Sequence, residues 1–355
     1  MLTVVQEPQT RLWGPKGQSK EMVNMSQKRV LVVGGAGYIG SHVCQALLAA
    51  GHRPVVFDNL STGHKENILP ASEFIEGDIL DAPALAAAMK DIDAVIHLAA
   101  LKAAGESMTD PGRFATQNLS GTVNLLNAAV NANIESFVFS SSAAVYGEPK
   151  YVPMDENHPT APINFYGHTK LAIEGLLPWY SQLKSMRFAS LRYFNAAGYD
   201  PTGVIKGLEK EPGNLMPIVM EAVMGIREKV VVFGDDYDTK DGTCIRDYIH
   251  VTDLAKAHVQ ALDHISSKDE DLILNLGTSN GISVLEIIDA TKKLSGIDFK
   301  VETGPRREGD PAVVLAEAKL AKDLLGWVPE YSDVQTLVQS MLQTYRNQGE
   351  ASLKG

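Results

Sequence analysis

From residue 28 onward, short runs rich in β-branched and aromatic residues alternate with longer stretches of helical periodicity. The runs at 29–33, 53–57, 73–76, 94–98 and 136–139 read as strands, and the stretches near 38–50, 81–90 and 113–132 as helices between them. These strands are apolar on both faces, so neither face of their sheet can be left to water. That pattern predicts an α/β fold with a doubly wound, parallel, Rossmann-type sheet. After Asn195 the alternation loosens into Gly- and Pro-rich segments with shorter elements, which predicts a smaller C-terminal α/β domain. The expected division is a first domain over 29–195, rejoined by 246–276, and a second over 196–245 and 277–350.

Residues 1–28 have no periodicity and mix Pro, Gly and polar residues. They lack the apolar stretch of a secretory signal and read as a disordered extension, with Met22 and Met25 as alternative starts.

Composition narrows the partners. The 355 residues carry a formal charge of −11, which argues against nucleic acid or an anionic membrane surface. An anionic ligand would therefore have to be met by a local group of arginines. The two cysteines, Cys44 and Cys244, have no paired spacing, so neither a disulfide framework nor a metal site is expected, in keeping with a reducing cytoplasm. No run of eighteen apolar residues suggests a membrane span.

The segment VVGGAGYIGSH follows the first strand directly. Gly35, Gly37 and Gly40 fit G-x-G-x-x-G, and Gly34, Gly37 and Gly40 fit G-x-x-G-x-x-G. Such glycines allow a tight turn and close approach to a pyrophosphate resting on the next helix's N-terminus. The second strand leads to Asp58, eighteen residues past Gly40. A carboxylate there binds ribose hydroxyls and repels a 2′-phosphate, which predicts NAD in preference to NADP.

Residues 140–147 read SSSAAVYG at the end of the fifth strand, where ligands bind in parallel sheets. Downstream, Tyr166 and Lys170 stand four apart, past the helix-entry signal Pro162, and so on one helical face. The set is Ser…Tyr-x-x-x-Lys. A serine hydroxyl can orient a substrate oxygen, Tyr166 can move a hydroxyl proton, and Lys170 is expected to lower the tyrosine's pKa and hold the nicotinamide ribose. His97 reads as a satisfied core histidine, His168 as off the Tyr–Lys face, Cys44 as packing, and the aspartates 235, 236, 238 and 241 as a solvated turn.

At this point the chain resembles the UDP-glucose 4-epimerase family of the extended short-chain dehydrogenases/reductases. The resemblance runs from about residue 29 to 328 and rests on GGAGYIGSH, DNLSTG, EGDI, VIHLAALKAAGES, SSSAAVYG, YGHTK, LRYFNAAG, NLMP, RDYIHV, LNLGT and RREGDPA. It implies tightly held NAD that is used without net redox change, a UDP-sugar substrate and a homodimer. It makes the first domain NAD-binding and the second UDP-sugar-binding. It places Tyr38 and Ile39 over the pyrophosphate, beside Gly34, Gly37 and Gly40. Asp58 and Asn59 fall at the adenine-side ribose, and Asp78 and Ile79 at the adenine. Leu98, Lys102, Asn118, Ser140 and Tyr193 fall towards the cofactor's other half. Ser142, Tyr166 and Lys170 match the catalytic set. Asn195, Asn214, Leu215, Phe233, Arg246, Arg307 and Asp310 match the UDP site. The arginines agree with the need for local cations, with Arg306 instead reading as a surface ion pair.

Three departures bear on the transfer. Val33 stands where a threonine is common. Pro178 lies inside the helix that starts near Tyr166 and is expected to kink or end it. Val314, four residues past Asp310, occupies a sugar-side position that is a bulky tyrosine in some members and smaller in others. Ala143 and Ala144 argue against a sugar dehydratase, which needs an acidic residue there. The competing readings are an epimerase of other UDP-sugars, a nucleotide-sugar dehydrogenase and a catalytically dead NAD-sensing module.

Overall fold

The computed structural model describes residues 27–209, 212–307 and 309–352; the predicted extension falls, for residues 1–26, outside the described residues. In chain order the first half comprises β1 (Arg29–Val33), α1 (Tyr38–Ala49), β2 (Arg53–Asp58), β3 (Glu73–Glu76), α2 (Ala82–Ala88), β4 (Ala94–His97), α3 (Ala104–Thr109), α4 (Pro111–Phe114), α5 (Gly121–Asn131), β5 (Ser136–Ser140), α6 (Phe165–Lys184) and β6 (Arg187–Tyr193). The second half comprises β7 (Asn195–Ala197), α7 (Leu215–Val223), β8 (Lys229–Phe233), β9 (Ile245–His250), α8 (Val251–Ser267), β10 (Leu272–Leu276), β11 (Gly281–Ser283), α9 (Val284–Ser295), β12 (Lys300–Gly304), β13 (Val313–Val314), α10 (Lys319–Leu325) and α11 (Val334–Ser352).

Seven strands form one parallel sheet in the order β10-β6-β5-β4-β1-β2-β3. Alternation along each strand feeds two separate cores. In β1, Val30 and Val32 face Val43 and Leu47 of α1 and Leu254 and Leu262 of α8. Leu31 and Val33 face Leu85, Leu125, Leu126, Ile173 and Leu177 on the opposite layer. Both faces are therefore apolar for the reason anticipated: each is covered by helices.

A smaller α/β portion lies alongside. β9 sits between β11 and β13 and also pairs with β7, while β8 pairs with β12. α7, α9 and α11 pack Met216, Met220, Ile287, Leu337 and Met341 into a third core.

The expectation that Pro178 could end the helix needs correction, because α6 runs unbroken from Phe165 to Lys184. Pro178 is exposed, so its ring points to solvent. The next turn is anchored independently: Leu177 is fully buried and Ser181 donates to Asp271 at 2.6 Å. Packing of the flanking turns outweighs the one backbone hydrogen bond that proline removes.

Candidate active site

The site lies at the C-terminal ends of β1, β4, β5 and β6. At β1 the chain turns into α1 through glycines that admit no side chain. A Cβ on Gly40 would sit 2.1 Å from the Gly34 carbonyl oxygen, and one on Gly34 would sit 2.7 Å from the Ala99 nitrogen. Gly37 caps α1 without a side-chain hydrogen bond, and no acidic residue occupies the first turn. That end thus presents backbone N–H groups and positive dipole to a ligand. Asp58 is buried at the end of β2 and accepts from the Ala36 N–H (3.0 Å) and the Leu60 N–H (2.8 Å). Burial raises its pKa, and the two backbone donors oppose that rise. An open helix N-terminus beside glycines and a fixed carboxylate fits a dinucleotide. Alongside, Asn59 donates to Asp78 at 2.8 Å, and Ile79, packed against Gly121, offers its carbonyl to Asn124 at 3.2 Å.

The helical run across α4 and α5 contains a π-helical stretch, Ala115–Ser120, a feature frequent at functional sites. It carries Asn118, which is buried. The Asn118 amide accepts from Leu101 N–H (2.9 Å) and donates to the Leu101 carbonyl (3.0 Å) and Thr169 Oγ1 (3.1 Å). This clamp ties the loop after β4 to α6. In that loop, Leu98 N–H donates to Val33 O at 2.8 Å. Lys102, in the same loop, pairs with Glu209.

α6 begins where Asn164 caps it, accepting from Gly167 N–H at 2.8 Å. The Tyr166 N–H, one of the helix's otherwise unpaired first-turn donors, goes to Ser107 Oγ at 3.0 Å. A Cβ on Gly167 would meet the Ala144 carbonyl oxygen at 2.4 Å. Glycine there lets the helix close onto the Ser142–Ala144 turn, which sets the Tyr166 phenol beside the Ser142 hydroxyl. Lys170, one turn on, is buried. Its Nζ donates to the Ser140 carbonyl at 2.7 Å and lies 5.8 Å from the Tyr166 ring centre and 4.9 Å from that of Phe139. Ser140 Oγ shares a 2.6 Å hydrogen bond with the Tyr193 hydroxyl. Ser140, Ser142, Tyr166, Lys170 and Tyr193 thus form one contiguous group.

The electrostatics differ from expectation. Tyr166 is not brought below the usual phenol range; burial raises it, and the neighbouring Ser142 hydroxyl only partly offsets that. Lys170 is itself pushed down to about 7 by burial, with Glu174 acting the other way. Proximity at four residues' spacing was legible, but the expectation that Lys170 lowers Tyr166 omitted the desolvation of both groups. His97 is buried, and burial with the nearby Lys170 lowers it to about 3. The Thr122 hydroxyl donates to Asn118 O at 2.5 Å, so its 2.8 Å contact with His97 requires the Nε2–H tautomer. His97 Nδ1 has no partner among the described residues, so the histidine is a core residue only half satisfied. His168 is exposed, away from Lys170, and Cys44 is buried.

In the smaller portion, Arg307 stacks over Phe233 with 3.9 Å from guanidinium to ring centre. Arg246 on β9 donates to Pro311 O at 2.8 Å and lies 3.7 Å from Asp310. Val314 is its register partner on β13 and packs with Val145, Tyr146 and Met154. Asn195 on β7 donates to Asp247 O at 3.0 Å. Asn214 precedes Leu215 at the start of α7 without capping it through its side chain, and neither is joined to the arginines by a hydrogen bond. Arg306 stacks on Tyr237 and pairs with Asp236 at 2.7 Å, as its surface-pair reading anticipated.

Sequence reasoning passed over the buried network behind the serines. Glu174 on α6 accepts from Ser141 (2.6 Å), Ser190 (2.9 Å) and Arg192, whose Nη2 approaches to 2.6 Å. The signal was a glutamate and an arginine within apolar segments, Glu174 four residues past Lys170 and Arg192 inside SLRYF.

Comparison with known proteins follows the same lines. The model of the NAD dependent epimerase/dehydratase family matches residues 30–277. The UDP-glucose 4-epimerase of Rhizobium meliloti is 46% identical over 329 residues, covering 92% of this chain and all of the relative. A crystal structure of UDP-glucose 4-epimerase from Brucella ovis in complex with NAD superposes with a TM-score of 0.87 at 43% identity, covering 90% of this chain and 98% of that one. The UDP-Glc/GlcNAc 4-epimerase of Campylobacter jejuni superposes at 0.80 with 40% identity, covering 90% and 99%. No helix among the described residues is long and apolar enough to cross a membrane.

Proposed function

The chain belongs to the NAD dependent epimerase/dehydratase family, and from that premise we propose that it is a UDP-glucose 4-epimerase, interconverting UDP-glucose and UDP-galactose with tightly bound NAD. The observation that carries this reading is the single group formed by Ser142, Tyr166 and Lys170 beside a glycine turn and a buried Asp58.

Gly34, Gly37, Gly40 and the first turn of α1 with Tyr38 and Ile39 would hold the pyrophosphate, and Asp58 and Asn59 the adenosine ribose. Asp78 and Ile79 line the adenine side; Leu98, Lys102, Asn118, Ser140 and Tyr193 line the way to the nicotinamide. Bound there, NAD would supply both a hydride acceptor and a hydride donor within one turnover, so no external reductant would be consumed. Tyr166 takes the proton of the sugar's 4-hydroxyl, and Ser142 orients that oxygen by hydrogen bond. A buried phenol resists ionisation, so Lys170 in its charged form offsets that resistance when the proton moves. Arg246, Arg307, Phe233, Asn195, Asn214, Leu215 and Asp310 anchor UDP. With UDP fixed, the 4-keto sugar can turn within the cleft and present its other face; Tyr166 then returns the proton. In this reading 29–195 with 246–276 forms the NAD domain, and 196–245 with 277–350 the UDP-sugar domain. The exposed Trp179 and Leu183 of α6 are the surface on which a second copy would pack, and the buried thiols of Cys44 and Cys244 suit the cytoplasm.

The test is direct. Purified protein given UDP-galactose should form UDP-glucose without accumulating reduced cofactor, and Tyr166→Phe should lower turnover by ~10²–10⁴-fold. Near-normal turnover in that variant would remove the phenol from the reaction. The partly buried Val314 beside Arg246 favours a second substrate class, UDP-N-acetylglucosamine, because a valine leaves room near carbon 2 that a tyrosine would fill.

A further inference from the structure

Lys170 is buried with one hydrogen-bond acceptor, the Ser140 carbonyl, and two aromatic rings nearby, Phe139 and Tyr166. A buried ammonium needs more compensation than that. The groups facing it from the surrounding elements do not supply a negative charge. His97 of β4 is neutral, being lowered to about 3 by burial and by Lys170 itself. Tyr193 of β6 and Tyr166 of α6 are phenols that burial raises. The anion with an electrostatic hold on Lys170 is Glu174, one turn further along the same face of α6.

Glu174 is in turn fixed from two strands. Oε1 accepts from Ser141 at the end of β5 (2.6 Å) and from Ser190 of β6 (2.9 Å). The Arg192 guanidinium spans both carboxylate oxygens through Nε (3.0 and 3.2 Å) and Nη2 (2.6 Å). Arg192 is held by Tyr146, whose hydroxyl accepts at 3.0 Å and donates to Asn275 at 2.6 Å. Ser141 immediately precedes Ser142. One carboxylate therefore ties the serine strand, the Tyr–Lys helix and β6 together.

We propose that Glu174, gripped by Arg192, is a positioning residue for the reaction: it keeps Lys170 in its charged form and holds the Ser141–Ser142 strand end in register with Tyr166, without touching cofactor or substrate. The proposal rests on the epimerase reading for its link to turnover, but its electrostatic part is a statement about the protein alone.

The sign follows from the charges. Removing the carboxylate takes away the influence that raises Lys170, so the lysine loses its proton at lower pH. The high-pH limb of the turnover profile then moves down, and the KM for UDP-galactose changes little because the UDP contacts lie elsewhere.

The experiment compares wild type, Glu174→Gln, Glu174→Asp and the double variant Glu174→Gln/Arg192→Gln as purified holoenzymes. One readout is the pH profile of kcat for UDP-galactose. The other is the titration of the Lys170 Cε resonance in protein labelled with 13C-lysine, identified by its loss in Lys170→Arg. In Glu174→Gln the lysine midpoint and the high-pH limb should both fall by about one unit or more, while Glu174→Asp keeps both near their wild-type positions. The double variant leaves no unpaired buried charge and serves if the single variant does not fold; loss of the Arg192 cation offsets part of the loss of the Glu174 anion, so its downward shift is in the same direction but smaller. An unmoved lysine midpoint in Glu174→Gln, or in the double variant where the single one does not fold, overturns the proposal, as does a uniform loss of kcat with an unchanged profile. A wild-type protein inert towards UDP-sugars whose lysine midpoint still moves supports the hold of Glu174 on Lys170 and removes the epimerase reading instead.

Discussion

Gly167→Ala is a sharp test of how the site is assembled. A Cβ at residue 167 would lie 2.4 Å from the Ala144 carbonyl oxygen, 3.0 Å from its carbon and 3.1 Å from Pro162 Cβ. Ordinary contact begins near 3.4 Å, so α6 and the Ser142–Ala144 turn must part by about 1 Å. Two of the three obstacles are backbone atoms, which cannot rotate aside. Were there space, alanine would stabilise the helix by about 1 kcal/mol over glycine. Against that stand the overpacking cost of about 1–3 kcal/mol and a strained Asn164 cap, whose full loss costs about 1 kcal/mol. The melting temperature should therefore fall by a few degrees. Turnover should fall much further, because a 1 Å displacement between Tyr166 and Ser142 costs on the order of 10²-fold. The KM for the UDP-sugar should hold, since Arg246 and Arg307 sit on other elements. The assay is steady-state conversion of UDP-galactose alongside thermal unfolding. Turnover within about threefold of wild type, together with a raised melting temperature, would refute the close-approach argument.

Cofactor identity should follow Asp58: protein as purified should release NAD on denaturation, and added NADP should not exchange in, whereas recovered NADP would contradict the carboxylate's role. Val314→Tyr should depress epimerisation of UDP-N-acetylglucosamine more than that of UDP-glucose, since overpacking penalises the larger ligand first; equal rates on both sugars before and after would assign the limit to another wall. Acid stability should fail early. Burial lowers His42 and His258 to about 4 and His97 and His250 to about 3, so between pH 6.5 and 4 the unfolded chain binds protons that the folded one refuses. Stability is then lost as pH falls through that window, at up to about 5 kcal/mol per pH unit if all four contribute; a melting temperature flat from pH 6.5 to 5 would contradict it.

Much of this architecture was legible because its signals are local. Strands such as VLVV, apolar on both faces, can exist only between two helical layers, and β1 does feed two cores. The glycine turn, Asp58 and the Tyr166–Lys170 spacing are likewise written in short stretches. Pro178 does not end the helix because distant contacts decide there: Leu177 and the Ser181–Asp271 bond hold the next turn in place. The π-helical stretch that carries Asn118 was invisible for the same reason, since its purpose is a clamp onto Leu101 and Thr169.

The electrostatics were the least legible part, and the cause is general. Spacing four residues apart places Lys170 beside Tyr166, but whether that lysine carries a charge depends on what surrounds it. The ring of Phe139 comes from β5 and the carboxylate of Glu174 from the next turn of α6, and the lysine's burial comes from the packing of α6 against the sheet. Glu174 in turn depends on Ser141 and on Arg192, a residue eighteen positions further along the chain. A motif of serine, tyrosine and lysine names the groups that touch a substrate. The charge state that lets them work is set by a shell assembled from α6, β5 and β6, and a mutation in that shell should register as a displaced pH profile before it registers as a lost fold.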